Sequence, residues 1–187
     1  MRYYKLIYDY ENDDDYVYCD IANIGNMSEY IIQDGKIINN WENVIFEYSS
    51  QAGNIFTDYL ANVYRWLVVS DNFKQVTNGL IKDHIQYLPL KIIERNTGAE
   101  INTYSVANIL SILDALDLDN SVYDIFELDN EKIISVQKYA LKKSKILDRH
   151  IFRLKTQEIG IFVSEALKNV LESENLSGFS FLEVCVI

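Results

Sequence analysis

The apolar positions of this chain fall into short runs that suit strands, interrupted at two places by a helical spacing. Tyr3-Tyr4-Lys5-Leu6-Ile7-Tyr8 is rich in residues that fit a pleated surface, which predicts a first strand. Glu11-Asn12-Asp13-Asp14-Asp15 breaks the pattern, and Tyr16-Val17-Tyr18-Cys19-Asp20-Ile21 predicts a second strand. Gln33-Asp34-Gly35-Lys36 reads as a turn between apolar pairs, and Trp41 to Tyr48 holds a further short strand at Val44-Ile45-Phe46.

The two helical interruptions belong to a repeat. Ser70 and Ser164 lie 94 positions apart, and that offset aligns Leu67-Val68-Val69-Ser70-Asp71 with Ile161-Phe162-Val163-Ser164-Glu165. It also aligns Phe73, Lys74 and Val76 with Leu167, Lys168 and Val170. Further on, Ile85, Tyr87, Leu88, Leu90 and Ile92 fall on Phe179, Phe181, Leu182, Val184 and Val186. The physical reading is the same in both copies. An apolar run forms a buried strand, and the serine then caps a helix by accepting from a first-turn amide. Asp71 or Glu165 suits the positive helix start. Phe73, Val76 and Leu80, or Leu167, Val170 and Leu171, supply the apolar stripe. A glycine, Gly79 or Gly178, lies near the exit, and a second strand follows. Each unit is strand–helix–strand, spanning 64–95 and 158–187.

Between the copies, Thr103 to Leu110 suits a strand or the start of a helix. Asp114 to Asp119 is an acid-rich turn. Val122 to Leu128 and Lys132 to Tyr139 read as a strand pair with its turn at Asp129-Asn130. The basic run Lys138, Lys142, Lys143, Lys145, Arg149, Arg153 and Lys155 reads as a solvated face. The expected architecture is an α+β fold, a single domain over 1–187 with a strand-rich N-terminal part at 1–56.

Charge narrows the partners. The net charge is −11, and residues 1–58 hold 11 acids against 3 bases. Such a field repels nucleic acid and anionic membranes and attracts basic partners, although solubility alone is a sufficient reason for it. Seven of the 14 tyrosines fall within the first thirty residues. Tyrosine offers a large contact area with a polar tip and little entropy to lose, so it is favoured at interfaces, although strand propensity also selects it. No apolar stretch reaches the ~18 residues that span a bilayer, and the first residues show no secretory signal pattern, so the expected location is the cytoplasm. Cys19 and Cys185 suit buried small side chains in a reducing compartment, with a disulfide between them left open.

Candidate chemistry is sparse. His84 and His150 sit in no metal-ligand spacing. Asp13-Asp14-Asp15 lacks the alternation and glycine of a calcium loop. Ser70 and Ser164 lie in no nucleophile elbow, and the glycines form no phosphate cradle. No cofactor, metal or catalytic residue is expected. An enzyme of a different kind would need a deep pocket with converging Asp, His and Tyr side chains.

Four pieces in order carry a resemblance: Trp66-Leu67-Val68-Val69-Ser70-Asp71; the Tyr104 to Asn108 segment running into Asp114-Ala115-Leu116-Asp117; His150-Ile151-Phe152-Arg153-Leu154 followed by Ile161 to Glu165; and Leu176-Ser177-Gly178-Phe179-Ser180-Phe181. Over about residues 57–187 the chain resembles immunity protein family 11 of bacterial polymorphic-toxin systems. The resemblance implies a small cytoplasmic protein, encoded beside a secreted toxin, that binds the toxin and prevents self-poisoning. It also implies that Trp66, Phe152, Phe179 and Phe181 bear the fold rather than touch the partner. The first third shows no such likeness, which fits a region that varies with the partner. Together with the charge, it makes Asp9, Tyr10, Glu11, Asp13, Asp14, Asp15 and Tyr16 the expected contact residues, facing a basic toxin such as a nuclease. The alternative is a non-catalytic structural or adaptor protein with no toxin partner.

Overall fold

The computed structural model describes residues 1–11, 15–128, 131–155 and 157–187. Strand accounts for 44% of it and helix for 17%. The α+β expectation is therefore corrected to a mostly β fold. Among the described residues, only two helices exceed about one turn, and most of the remaining apolar runs are strands.

One sheet has six strands, in the order Ile112–Leu113 (β10), Ile151–Leu154 (β14), Gln157–Ser164 (β15), Tyr3–Tyr8 (β1), Phe179–Val186 (β16) and Ala140–Leu141 (β13). The eight-stranded sheet runs Tyr18–Cys19 (β2), Tyr59–Asn62 (β5), Val68–Ser70 (β6), Tyr104–Ile109 (β9), Ile85–Glu94 (β7), Val44–Tyr48 (β4) and Ile21–Asn23 (β3), with Glu100–Ile101 (β8) also paired to β7. Val122–Leu128 (β11) and Glu131–Lys138 (β12) make a separate antiparallel pair. The helices are Asp71–Ile81 (α1), the single turn Lys143–Ile146 (α2) and Glu165–Ser173 (α3).

The two large sheets share one plan. β9 lies antiparallel between β6 and β7, and β1 lies antiparallel between β15 and β16. Outside them, β5 and β14 are antiparallel to β6 and β15, and β2 and β10 run parallel to β5 and β14. On the other flank β4 and β13 run parallel to β7 and β16. The correspondence extends to single bonds. Tyr104 pairs with Ser70, and Tyr3 with Ser164. Asp71 N donates to Thr103 O and Glu165 N to Arg2 O, both at 2.9 Å, while Ser70 N donates to Asp58 O and Ser164 N to His150 O, both at 3.0 Å. The halves differ in the source of the middle strand. In the first half it follows in the chain as β9; in the second it is β1, from the other end.

Both helices start as their sequences dictate. The Ser70 hydroxyl accepts from Phe73 N at 3.1 Å and the Ser164 hydroxyl from Leu167 N at 3.2 Å. The buried line of α1 differs from the expected stripe: Phe73, Thr77 and Ile81 are buried, while Val76 and Leu80 are only partly so. Thr77 is tolerated there because its hydroxyl donates to Phe73 O at 2.7 Å, which pairs its own buried donor. α1 and α3 pack against each other over a shared core that takes Tyr4 and Leu6 from β1, Val69 from β6, Ile109 from β9 and Val163 from β15. Each sheet has a further core on its other face. Phe46, Trp66 and Ile92 lie in one, and Tyr3, Phe152 and Phe162 in the other.

Other expectations are refined. Residues 104–109 form a strand with all six residues buried. The predicted second strand splits into β2 and β3. The Asp129-Asn130 turn lies outside the described residues. Trp66 and Phe152 are buried, while Phe179 and Phe181 are partly buried against the shared core. Cys19 is buried, but Cys185 is exposed and neither is in a disulfide, because β16 turns Cys185 outward between inward-facing Val184 and half-buried Val186. Arg153 departs from the solvated basic run: it is buried on β14, where every residue is covered.

Candidate functional site

The end of β1 brings the first tyrosines together. Tyr8, on the inward face of β1, packs edge-on to Tyr10 at 5.1 Å and to Tyr59 at 5.5 Å between ring centres. Tyr59 in turn lies 5.5 Å from Phe179. From the first half, Tyr16 bridges to Ile55 and Tyr18 sits on β2 beside Ala61. The result is a cleft of about 410 Å³ where the two halves meet, lined by Tyr8, Tyr10, Tyr16, Tyr18 and Tyr59 together with Ala61, Asn62, Val63 and Arg65.

The frame of the cleft is held by backbone. Asp9 N donates to Gly178 O and Tyr59 N to Ser177 O, both at 3.1 Å. Asp15 O accepts from Asn54 N and Ile55 N at 2.9 Å, and Val17 N donates to Ile55 O at 2.9 Å. Gly178 has φ +83°, and a Cβ there would lie 2.5 Å from Tyr59 O, so only glycine fits this close crossing. Asn62 is buried and closes the turn to Trp66, accepting from Trp66 N at 3.0 Å and donating to Trp66 O at 2.8 Å.

The wall and the rim differ in character. Tyr8 and Tyr59 are buried, whereas Tyr10 is 66% and Tyr18 51% exposed. Burial, and next the neighbouring Tyr10, push the Tyr59 hydroxyl up to about 12, against the opposing pull of Arg153; it stays neutral at ordinary pH. Glu11 and Asp15 are exposed and adjoin Tyr10 and Tyr16 in the chain, and Asp9 is half-buried, its carboxylate accepting from Glu11 N at 3.1 Å. Exposed aromatic rings above a fixed floor, next to unburied carboxylates, can bind a protein surface by contact area and charge.

Of the expected contact residues, Tyr10 and Tyr16 line the cleft, and Asp9, Glu11 and Asp15 lie next to them in the chain. Asp13 and Asp14 lie outside the described residues. Tyr18, Tyr59 and Arg65 were not among the expected residues. The signal for Tyr18 was present, since it alternates with Tyr16 in the second strand expected from the sequence; Tyr59 and Arg65 arrive only through the pairing of β5 with β6.

The polar pairs that resemble catalytic dyads are part of the helix caps. The Ser70 hydroxyl donates to Asp58 Oδ1 at 2.5 Å, and Ser164 Oγ lies 2.7 Å from His150 Nδ1. Asp58 and His150 are equivalent in the two halves, as are the serines. The Asp58 carboxylate also accepts from Ser177 N at 3.0 Å, which ties β5 to the turn before β16. Among the described residues, no three His, Cys, Asp or Glu side chains gather as a metal site, and no helix is long and apolar enough to cross a membrane.

A family model described as immunity protein family (Imm11) matches residues 8–186. The chain belongs to the Imm11 immunity protein family. The match starts at residue 8, so it spans most of the first third, where no likeness was expected, and every residue that lines the tyrosine cleft. A search of curated proteins gives no match. Imm11 membership implies a toxin as the partner of this chain.

Proposed function

We propose that this chain neutralises a cognate secreted toxin by direct binding, without catalysis, inside the cell that makes both. Family membership over residues 8–186 carries the reading. The tyrosine cleft is the contact surface that chemistry favours. Its rings supply contact area and the acids around it speed encounter with a basic surface, such as the cleft of a nuclease. Occlusion of that surface blocks the toxin.

The test is co-expression with the toxin encoded beside this gene. The expected outcome is restored growth and a co-purifying complex. Within it, Tyr10→Ala with Tyr18→Ala should weaken binding by about tenfold or more, since buried aromatic anchors are commonly worth upwards of ~1.4 kcal/mol. Reversal of Asp13, Asp14 and Asp15 to Lys should slow association and flatten its salt dependence. Unchanged protection after that reversal would remove these acids from the mechanism.

A further inference from the structure

At the same position in the plan the two halves carry long excursions: residues 20–43 between β2 and β4, and residues 114–139 between β10 and β13. The first is folded down. Ile24 and Ile32 are buried, Gln86 Nε2 donates to Ile38 O at 2.8 Å, Asn108 Nδ2 to Lys36 O at 2.8 Å, and Trp41 Nε1 to Pro89 O at 2.7 Å. The second is buried at its root, where Ala115, Leu116 and Tyr139 enter a core and Val136 packs against it. Beyond the root, β11 and β12 stand as a two-stranded sheet of their own.

That hairpin is apolar on both faces. Phe126 pairs with Ile133, and Ile125 with Ile134, and directly opposed residues share a face, so the two pairs point to opposite sides. Ile125 and Phe126 are each 55% exposed and Ile133 is 45% exposed. A lone two-stranded hairpin is marginal in water, and clustered exposed apolar side chains mark an interaction site. Among the described residues, the three hydrophobic cores include none of these three side chains.

We propose that the β11–β12 hairpin is an arm that inserts its apolar faces into a positively rimmed groove of a protein partner, and that this partner is the same toxin. The inference rests on the toxin-binding reading above. Charge chooses the occupant. The chain carries −11 overall, and residues 122–138 hold four acids and two bases. Asp124 and Glu127 are exposed and flank Ile125 and Phe126 in the chain. A second copy of the chain would bring like charges together, whereas a basic rim closes favourably on both the arm and the body. The register of β16 places the arm's root at its Cys185 end and the tyrosine cleft at its Phe179 end, so the two contacts are separable.

The experiment measures affinity for the toxin encoded beside this gene, purified in a catalytically dead form. Phe126→Ser with Ile133→Ser, and separately Ile125→Ser, should each weaken binding at least tenfold while the thermal midpoint and circular dichroism stay at wild-type values. Phe126→Lys, at an exposed site, gives a further variant that keeps the fold. Wild-type affinity in all three folded variants overturns the arm while leaving toxin binding through the cleft intact. A wild-type dimer in sedimentation that these changes convert to monomer, with toxin affinity unchanged, overturns it in favour of a second copy. If the wild-type chain binds no toxin, the toxin-binding reading fails and the arm falls with it.

Discussion

The two halves of this chain use one hydrogen-bonding plan and finish it differently. In the first half the middle strand β9 arrives in sequence, and the excursion at 20–43 is tied down over the outer face by Ile24, Ile32 and the Trp41–Trp66 contact. In the second half the middle strand is borrowed from residues 3–8, and beyond its buried root the excursion at 114–139 forms a two-stranded sheet of its own. The shared plan lies in backbone pairs and caps, which tolerate exchange of side chains. The differences lie in what covers the sheets, and they coincide with the surfaces that have functional potential. The borrowed strand ends in the tyrosine cleft, and the free excursion carries exposed apolar side chains on β11 and β12.

The borrowed strand offers the largest test of that contrast. A chain beginning at Asp9 lacks the middle strand of the six-stranded sheet and with it Tyr4, Leu6 and Tyr8 from the shared core. Cooperative thermal unfolding should be lost in the second half, and because α3 packs on α1, in the first half as well. An unchanged melt would show that the halves do not depend on the exchange. Within the intact chain, Leu6→Ala alone should cost about 2–5 kcal/mol in denaturant unfolding.

The crossing of the halves at Gly178 comes next. Gly178→Ala must hold a Cβ at φ +83° against Tyr59 O, and should destabilise by about 2 kcal/mol or more. A neutral result in chemical denaturation would mean that the crossing relaxes freely.

The caps sharpen the comparison further. Ser70→Ala should cost about 1 kcal/mol, as helix caps do. Ser164→Ala should cost more, about 2 kcal/mol, because Ser164 is fully buried and its loss also strands the His150 contact. Equal losses would mean that the buried contact adds nothing.

The remaining effect is one of pH, and it belongs to the first half. Glu94 is buried at the end of β7 and accepts from Ser50 N, Asn96 N, Thr97 N and the Thr97 hydroxyl. Burial pushes its carboxyl up, but the hydrogen bonds from Thr97, Ser50 and Asn96 outweigh it and hold the group down at about 2, against 4.5 ordinarily. A carboxyl depressed on folding stabilises the protein above its unfolded value and loses that contribution as pH falls through the folded one. The thermal midpoint of wild type should therefore exceed that of Glu94→Gln at pH 6. The gap should close between about pH 4.5 and 2. A gap independent of pH would assign the effect to shape rather than charge.

Much of the local structure was legible. Serine followed by an acid before an apolar helical spacing is a start signal with one physical meaning, and both caps form at Ser70 and Ser164. The strands at Tyr3–Tyr8 and Val44–Tyr48 were legible from aromatic and β-branched content. The fold class was not, because a short apolar run such as Tyr104–Ile109 has the same composition in a buried strand as in a buried helix. The α1 stripe shifted to Thr77 because a hydroxyl that bonds its own helix is as buriable as a valine, which a hydropathy pattern cannot register. At the site, Tyr10 and Tyr16 stood out by density and charge. Tyr59 and Arg65, some forty or more residues further along, carry no local sign of joining them.

The sequence by itself determined where the two long helices begin, the acidity of the first third and the family. These follow from interactions among near neighbours and from summed composition. Only the tertiary structure decided that the first strand completes the last sheet, that five tyrosines share one cleft, and that one excursion is pinned while its counterpart projects. Those outcomes depend on which edges pair across more than a hundred residues, and strand pairing is chosen by the whole set of competing partners rather than by any segment alone.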